Sequence, residues 1–164
     1  GKTGGVTISG GEPLLQKESV VRLLDELHAR GIHTAVDTGG GIYYPEALAR
    51  ADLVLLDIKH PDAQKFYELT GVKQDALLQT LAYLREHDKK FWVRHVCVPG
   101  LTDTAQNVLA VKKMAAGAEK IELLAYHTMG IPKWEKLGLA YPLQGVPPLS
   151  ATKLQELNEI LQKE

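Results

Sequence analysis

Apolar residues along this 164-residue chain follow two alternating rhythms. Short runs dense in Val, Ile, Leu and aromatics occupy Val6–Ser9, His33–Asp37, Leu53–Asp57, Phe91–Val98 and Lys120–Tyr126. Runs of that length and make-up predict buried strands. Between them, apolar positions recur at three- and four-residue intervals, the period of a helix with one buried face. Val20, Leu23, Leu24 and Leu27 predict a helix over about Lys17–Arg30, which Gly31 ends in the left-handed conformation. Leu77, Leu81 and Leu84 predict a second over Asp75–His87, with Asp75 as its cap. Val108, Val111 and Ala115 predict a third, following Thr102–Asp103 and closing at Gly117. Leu154, Leu157, Ile160 and Leu161 predict a last one capped by Ser150, and shorter helices are expected at Pro45–Arg50 and Ala63–Leu69. Strand–helix alternation through short loops implies β/α units on a parallel sheet. The pattern leaves open a partial barrel or an open doubly wound sheet. Gly138–Leu149, with three prolines, reads as an irregular crossing segment.

Composition adds little beyond exclusions. A chain of this length, 45% apolar and 24% charged, fits one soluble globular domain. A formal net charge of −1 gives no electrostatic case for nucleic acid or an anionic membrane. No apolar run approaches the roughly 18 residues of a spanning helix, and no leader pattern opens the chain. The single cysteine, Cys97, cannot form an internal disulfide, which fits a cytoplasmic protein. The chain opens GKTGG without Met and enters its first strand within about five residues. That is the look of an excised piece, which processing would equally produce.

The chemistry gathers where the strands run out. The first ends in Ser9-Gly10-Gly11-Glu12, the second in Asp37-Thr38-Gly39-Gly40, the third in Asp57-Ile58-Lys59-His60. The fourth carries Arg94 inside an apolar run, and the fifth ends in Tyr126-His127. In a parallel α/β fold these points share one edge, where sites are built. Each has a plain alternative: an Asp caps the next helix, a Lys is solvated, a His packs. Arg94 is harder to dismiss, because alternation sets it beside Trp92, Val96 and Val98 on one strand face, where a charge needs a partner. Carboxylates, cations and exposed glycine amides together suit a small ligand bearing both charges, such as an amino acid head group. A phosphate is the rival ligand.

Taken in order, GVTISGGEPLLQ, VDTGG, DLVLLDIKH, VRHVCVPGLTD, KIELLAYHTMGIPKWEKLGL and YPLQGVPP resemble the pyruvate formate-lyase activating enzymes, glycyl-radical activases of the radical S-adenosylmethionine superfamily. The resemblance implies a partial (β/α)6 TIM-like barrel whose first β/α unit is missing, leaving about five parallel strands with outer helices in one core domain over residues 1–164. It implies that Gly10 and Gly11 lie against the methionine part of S-adenosylmethionine, with Glu12 setting the loop. It places Asp57, Ile58 and Lys59 in a ligand-binding motif, Arg94 near the methionine carboxylate and His127 at the nucleoside. Asp37, Thr38, Leu55 (through its carbonyl) and Asp57 match a monovalent cation site. A [4Fe–4S] cluster held by three cysteines upstream of this chain would cleave the sulfonium, and the resulting 5′-deoxyadenosyl radical would take hydrogen from a glycine of the partner, pyruvate formate-lyase. Flavodoxin or ferredoxin would supply the electron.

The chain departs from the family in two places. It lacks the C-x-x-x-C-x-x-C motif, so by itself it is expected to hold no cluster and form no radical, and Cys97 reads as a structural thiol. Gly39 stands where the family often has Asn or Ser. An uncovered sheet flank predicts poor stability of the isolated chain. Three other readings stay open: an activase for another glycyl-radical enzyme, a β/α phosphate-binding enzyme, and a non-catalytic ligand-binding module.

Overall fold

The computed structural model describes residues 4–163. Five strands form one parallel sheet in chain order: β1 (Gly5–Ile8), β2 (His33–Thr38), β3 (Leu53–Asp57), β4 (Phe91–Cys97) and β5 (Lys120–Ala125). Each lies within a residue of its predicted bounds. The helices are α1 (Lys17–Ala29), α2 (Pro45–Arg50), α3 (Ala63–Thr70), α4 (Asp75–Glu86), α5 (Ala105–Met114), α6 (Ile131–Lys136) and α7 (Ala151–Gln162).

Local chemistry sets the helix ends. Asp62 accepts the Lys65 amide at 2.9 Å to open α3, and Gly71, at φ +73°, closes it. Ser150 accepts the Lys153 amide at 3.1 Å and caps α7 as expected. One expectation is corrected. Gln74, not Asp75, is the first flanking residue of α4, and Asp75 lies in the first turn, where its charge favours the helix dipole. Thr104 caps α5, while Thr102 ties down the β4 end by accepting the Val98 amide and donating to the Val96 carbonyl, both at 2.7 Å.

The two faces of the sheet differ. Val36, Val54, Leu56, Phe91, Val93 and Cys97 point to the helical side and are fully buried or nearly so. They pack against Leu24, Leu48, Leu77, Leu81, Leu84 and Phe66 in one cluster, and Cys97 joins Val108, Leu123, Leu149 and Leu157 in a second. Asp37, Leu53, Leu55, Asp57, Trp92, Arg94 and Val96 alternate with these onto the concave face and are only half-buried. On β4 the alternation is complete, buried at odd positions and half-buried at even ones. Among the described residues, β1 has no strand on its outer side, and three of its four residues are exposed.

Candidate functional site

Parallel register carries four charged side chains to one level of the concave face. Asp37 is the register partner of Leu55, and Asp57 that of Arg94. The Arg94 Nε donates to Asp57 Oδ1 at 2.7 Å, and its terminal nitrogen donates to Asp37. Lys59, just past β3, donates from Nζ to Asp57 Oδ2 at 2.7 Å. The result is a continuous chain, Lys59–Asp57–Arg94–Asp37, with the last three side chains about one-fifth exposed. Ser9 Oγ donates to the free oxygen of Asp37 at 3.3 Å and links the chain to the glycine loop. Burial disfavours the Arg94 charge, but the hydrogen bond and charge of Asp57, with the charge of Asp37, more than offset this and hold its pKa up.

The glycine loop is open on the side that matters. A Cβ built at Gly10 or Gly11 meets nothing within 4 Å, and Gly10 sits at φ +144°, where other residues are strained. Glu12 turns away from this space. Its carboxylate accepts the Thr38 hydroxyl at 2.8 and 2.9 Å, the Gly39 amide at 3.0 Å and the Leu14 amide at 3.1 Å. It thus caps the short 3-10 turn Pro13–Gln16 and fastens the β1 loop to the end of β2.

The remaining sequence-predicted residues divide. Leu55 shares the face of Asp37 and Asp57. Thr38 alternates to the opposite face, where its hydroxyl is engaged by Glu12 and by the Gly40 amide at 3.1 Å, so only its backbone stays near the aspartates. Ile58 is fully buried on the helical side, and its carbonyl accepts the His95 Nδ1–H at 2.7 Å. His127 is exposed two residues past the end of β5. His60 is no rim residue: it is 2% exposed, and its Nδ1 accepts the Asp62 amide at 2.9 Å. Burial holds the pKa values of His60 and His95 below the ordinary range and drives the Cys97 thiol up to about 11, as inert packing groups.

Two features escaped the sequence reading. A cavity of about 270 Å³ beside Lys59 is walled by Val96, Val98, Leu101, Tyr126 and Leu143. Its roof belongs to the segment 127–148, strapped down where the Tyr126 and Tyr141 hydroxyls meet at 2.8 Å and Trp134 stacks edge-on to Tyr141. That hydroxyl bond, with burial, raises the Tyr126 pKa to about 12. The second is Glu122, register partner of Arg94 on the other side, held instead by Lys120 at 2.8 Å. Alternation along KIELLA could have placed Glu122 on the concave face beforehand.

A parallel α/β sheet covered on one face, with a polar rim at the carboxyl ends of its strands, defines a partial barrel with a candidate ligand site. Known proteins agree. The radical SAM superfamily model matches residues 1–110. The chain is 42% identical over 165 residues to the pyruvate formate-lyase-activating enzyme of Clostridium pasteurianum, covering 98% of this chain and 69% of that protein. It is 37% identical to the Streptococcus mutans enzyme of the same name, covering 67% of it, and 39% identical to that of Staphylococcus epidermidis, covering 62%. A solved domain of a pyruvate formate-lyase-activating enzyme from Bacteroides vulgatus superimposes with a TM-score of 0.77 at 26% identity, over 97% of this chain and 93% of that one. A radical SAM methyltransferase from Sphaerobacter thermophilus shares the fold, at TM-score 0.70 and 15% identity. The chain belongs to the radical S-adenosylmethionine superfamily and, within it, to the pyruvate formate-lyase-activating enzymes. It spans about two-thirds of the length of its curated relatives.

The cofactors of such enzymes fit these residues unequally. The charged rim and the open glycine backbone suit S-adenosylmethionine. A [4Fe–4S] cluster does not fit: Cys97 is the sequence's one cysteine and is fully buried, and among the described residues no three or more His, Cys, Asp and Glu side chains gather where they could hold a metal ion. Among the described residues, no helix is long and apolar enough to cross a membrane.

Proposed function

We propose that this chain forms the S-adenosylmethionine-binding wall of an activating enzyme that generates the glycyl radical of pyruvate formate-lyase in the cytoplasm. The observation that carries the reading is the convergence of Lys59, Asp57, Arg94 and Asp37 on one concave level, next to an unobstructed glycine backbone and an apolar cavity. The ligand's three parts map onto these three features. Its ammonium and carboxylate are met by the aspartates and by Lys59 and Arg94. Gly10 and Gly11 let the methionine stem approach the backbone. The nucleoside enters the cavity of Val96, Val98 and Tyr126, with His127 at its margin. Ile58 contributes its backbone, and Glu12 holds the loop in place. Asp37, Asp57 and the Leu55 carbonyl supply the oxygen donors of a monovalent cation site.

A phosphate ligand is disfavoured by Glu12. Its carboxylate already occupies the helix end that the glycine loop would offer, and it would repel a second anion there.

Equilibrium dialysis of labelled S-adenosylmethionine tests the reading. Asp57→Asn and Lys59→Ala, each removing one charge-assisted contact of about 1.5–3 kcal/mol, should weaken binding by about tenfold or more. Sugar phosphates should not compete. Unchanged affinity in both variants, or displacement by a sugar phosphate, would refute the assignment.

A further inference from the structure

His95 is inert as an acid or base, yet its one proton has a definite address. The ring lies on the helical side of β4, 1% exposed, and burial keeps it neutral. A neutral imidazole carries a single N–H. Of its two contacts, Nδ1 to the Ile58 carbonyl at 2.7 Å is the hydrogen bond, and Nε2, left bare, only packs against the Thr102 carbonyl at 3.4 Å. The place of the Ile58 carbonyl in the chain gives that bond its weight. Pairing of β3 with β4 runs to Asp57–Arg94, and just past it the Ile58 amide donates to the Arg94 carbonyl at 3.0 Å. From there a side chain takes over from the ladder. Ile58 is fully buried, so no water can stand in for the His95 donor. Fixing the Ile58 carbonyl fixes the peptide plane through which the chain enters Lys59. That plane sets the origin of the side chain whose Nζ meets Asp57 Oδ2 at 2.7 Å. The far side of the ring, against Thr102, braces the loop that borders the apolar cavity beside Lys59.

We infer that His95 is a positioning residue for the ligand site, its Nδ1–H holding the Asp57–Ile58–Lys59 segment in the shape that presents both charged side chains to the ligand. This rests on the S-adenosylmethionine reading above and adds to it a residue that never touches the ligand. Asp57 and Arg94 face the concave side of the sheet and His95 the helical side, so His95 acts through the end of β3.

Two variants separate positioning from packing. His95→Phe keeps a ring of similar size and removes the donor. His95→Asn gives up most of the ring and puts an amide donor where Nδ1 stands. Equilibrium dialysis of labelled S-adenosylmethionine is run beside urea unfolding, so that each affinity refers to folded chains. His95→Phe should weaken binding by about fivefold or more, because the Ile58 carbonyl must find a new partner. His95→Asn should bind within about threefold of wild type, whichever variant is the less stable. Wild-type affinity in His95→Phe, or binding by His95→Asn as weak as that of His95→Phe, would overturn the inference while leaving the ligand reading standing. A folded wild-type chain that binds no S-adenosylmethionine would refute the ligand reading and the inference together. Should either variant not fold, the imidazole 15N spectrum of the wild type decides. At neutral pH Nδ1 should carry the proton, and the signals of Nδ1 and of the Lys59 amide should shift when the ligand is added. A bare Nδ1, or signals that stay fixed with the ligand bound, would overturn the inference.

Discussion

Gly40→Ala isolates the packing that supports the site. Gly40 follows β2 at φ +70°, and a Cβ there would lie 2.7 Å from Leu77 Cδ1 and 3.1 Å from Leu56 Cδ1. Both leucines are fully buried in the main core, so neither can retreat toward solvent. Two costs combine. Holding an alanine in the left-handed region costs about 1–2 kcal/mol. Overpacking a closed core adds about 1–3 kcal/mol. Gly100→Ala supplies the control, because Gly100 has φ +75° but nothing within 4 Å of its Cβ position. Urea unfolding followed by far-ultraviolet circular dichroism should show Gly40→Ala less stable than Gly100→Ala by about 1–3 kcal/mol, with the same denaturant slope. The Gly40 amide bonds Thr38, and Thr38 bonds Glu12, so the displaced loop should also weaken S-adenosylmethionine binding, whereas Gly100→Ala should leave it close to wild type. Equal destabilisation by the two substitutions would refute the reasoning, since it would mean that Leu56 and Leu77 yield freely.

Glu12→Ala removes the acceptor for three groups and should cost about 1–3 kcal/mol, with weaker ligand binding from a freed glycine loop, read by urea unfolding and dialysis. His60 and His95 are held neutral by burial below their ordinary pKa, so the unfolded chain takes up protons that the folded chain refuses. Their contribution is whole above about pH 6.5 and is lost as pH falls toward their folded values, so the melting temperature should drop below that pH, less steeply in His95→Gln. Cys97, fully buried with its thiol pushed up to about 11, should resist iodoacetamide at pH 8 until urea unfolds the chain; fast labelling of the native protein would contradict its place in the second core.

The fold was largely legible because both periodicities are strong and the strands are buried on one face. What escaped lacks periodicity. Helix α6 buries none of its residues, so no apolar stripe announces Ile131–Lys136. The 3-10 turn Pro13–Gln16 is a single turn whose cap, Glu12, bonds groups 26 and 27 residues away as well as its own helix. The meeting of Asp37, Asp57, Lys59 and Arg94 at the strand ends was legible, and their pairing was not. Alternation put Arg94 on one face of β4 with Trp92, Val96 and Val98, but which acids Arg94 reaches depends on register across β2, β3 and β4, which local pattern does not encode. The same alternation separates Thr38 from Asp37, a consequence of counting that a motif hides.

Neighbours in the sheet are also neighbours in the chain, from β1 through β5. A ribosome delivering this sequence can therefore lay down the sheet one strand at a time, each new strand meeting an edge already formed, with no earlier strand left waiting for a later insertion. The glycine loop and Asp37 emerge first and Arg94 some sixty residues later, so until β4 arrives Lys59 is the one cation of the cluster beside Asp57, and Asp37 still awaits Arg94. Completion of the charged cluster is thus a late event in biogenesis, brought about by the fourth strand.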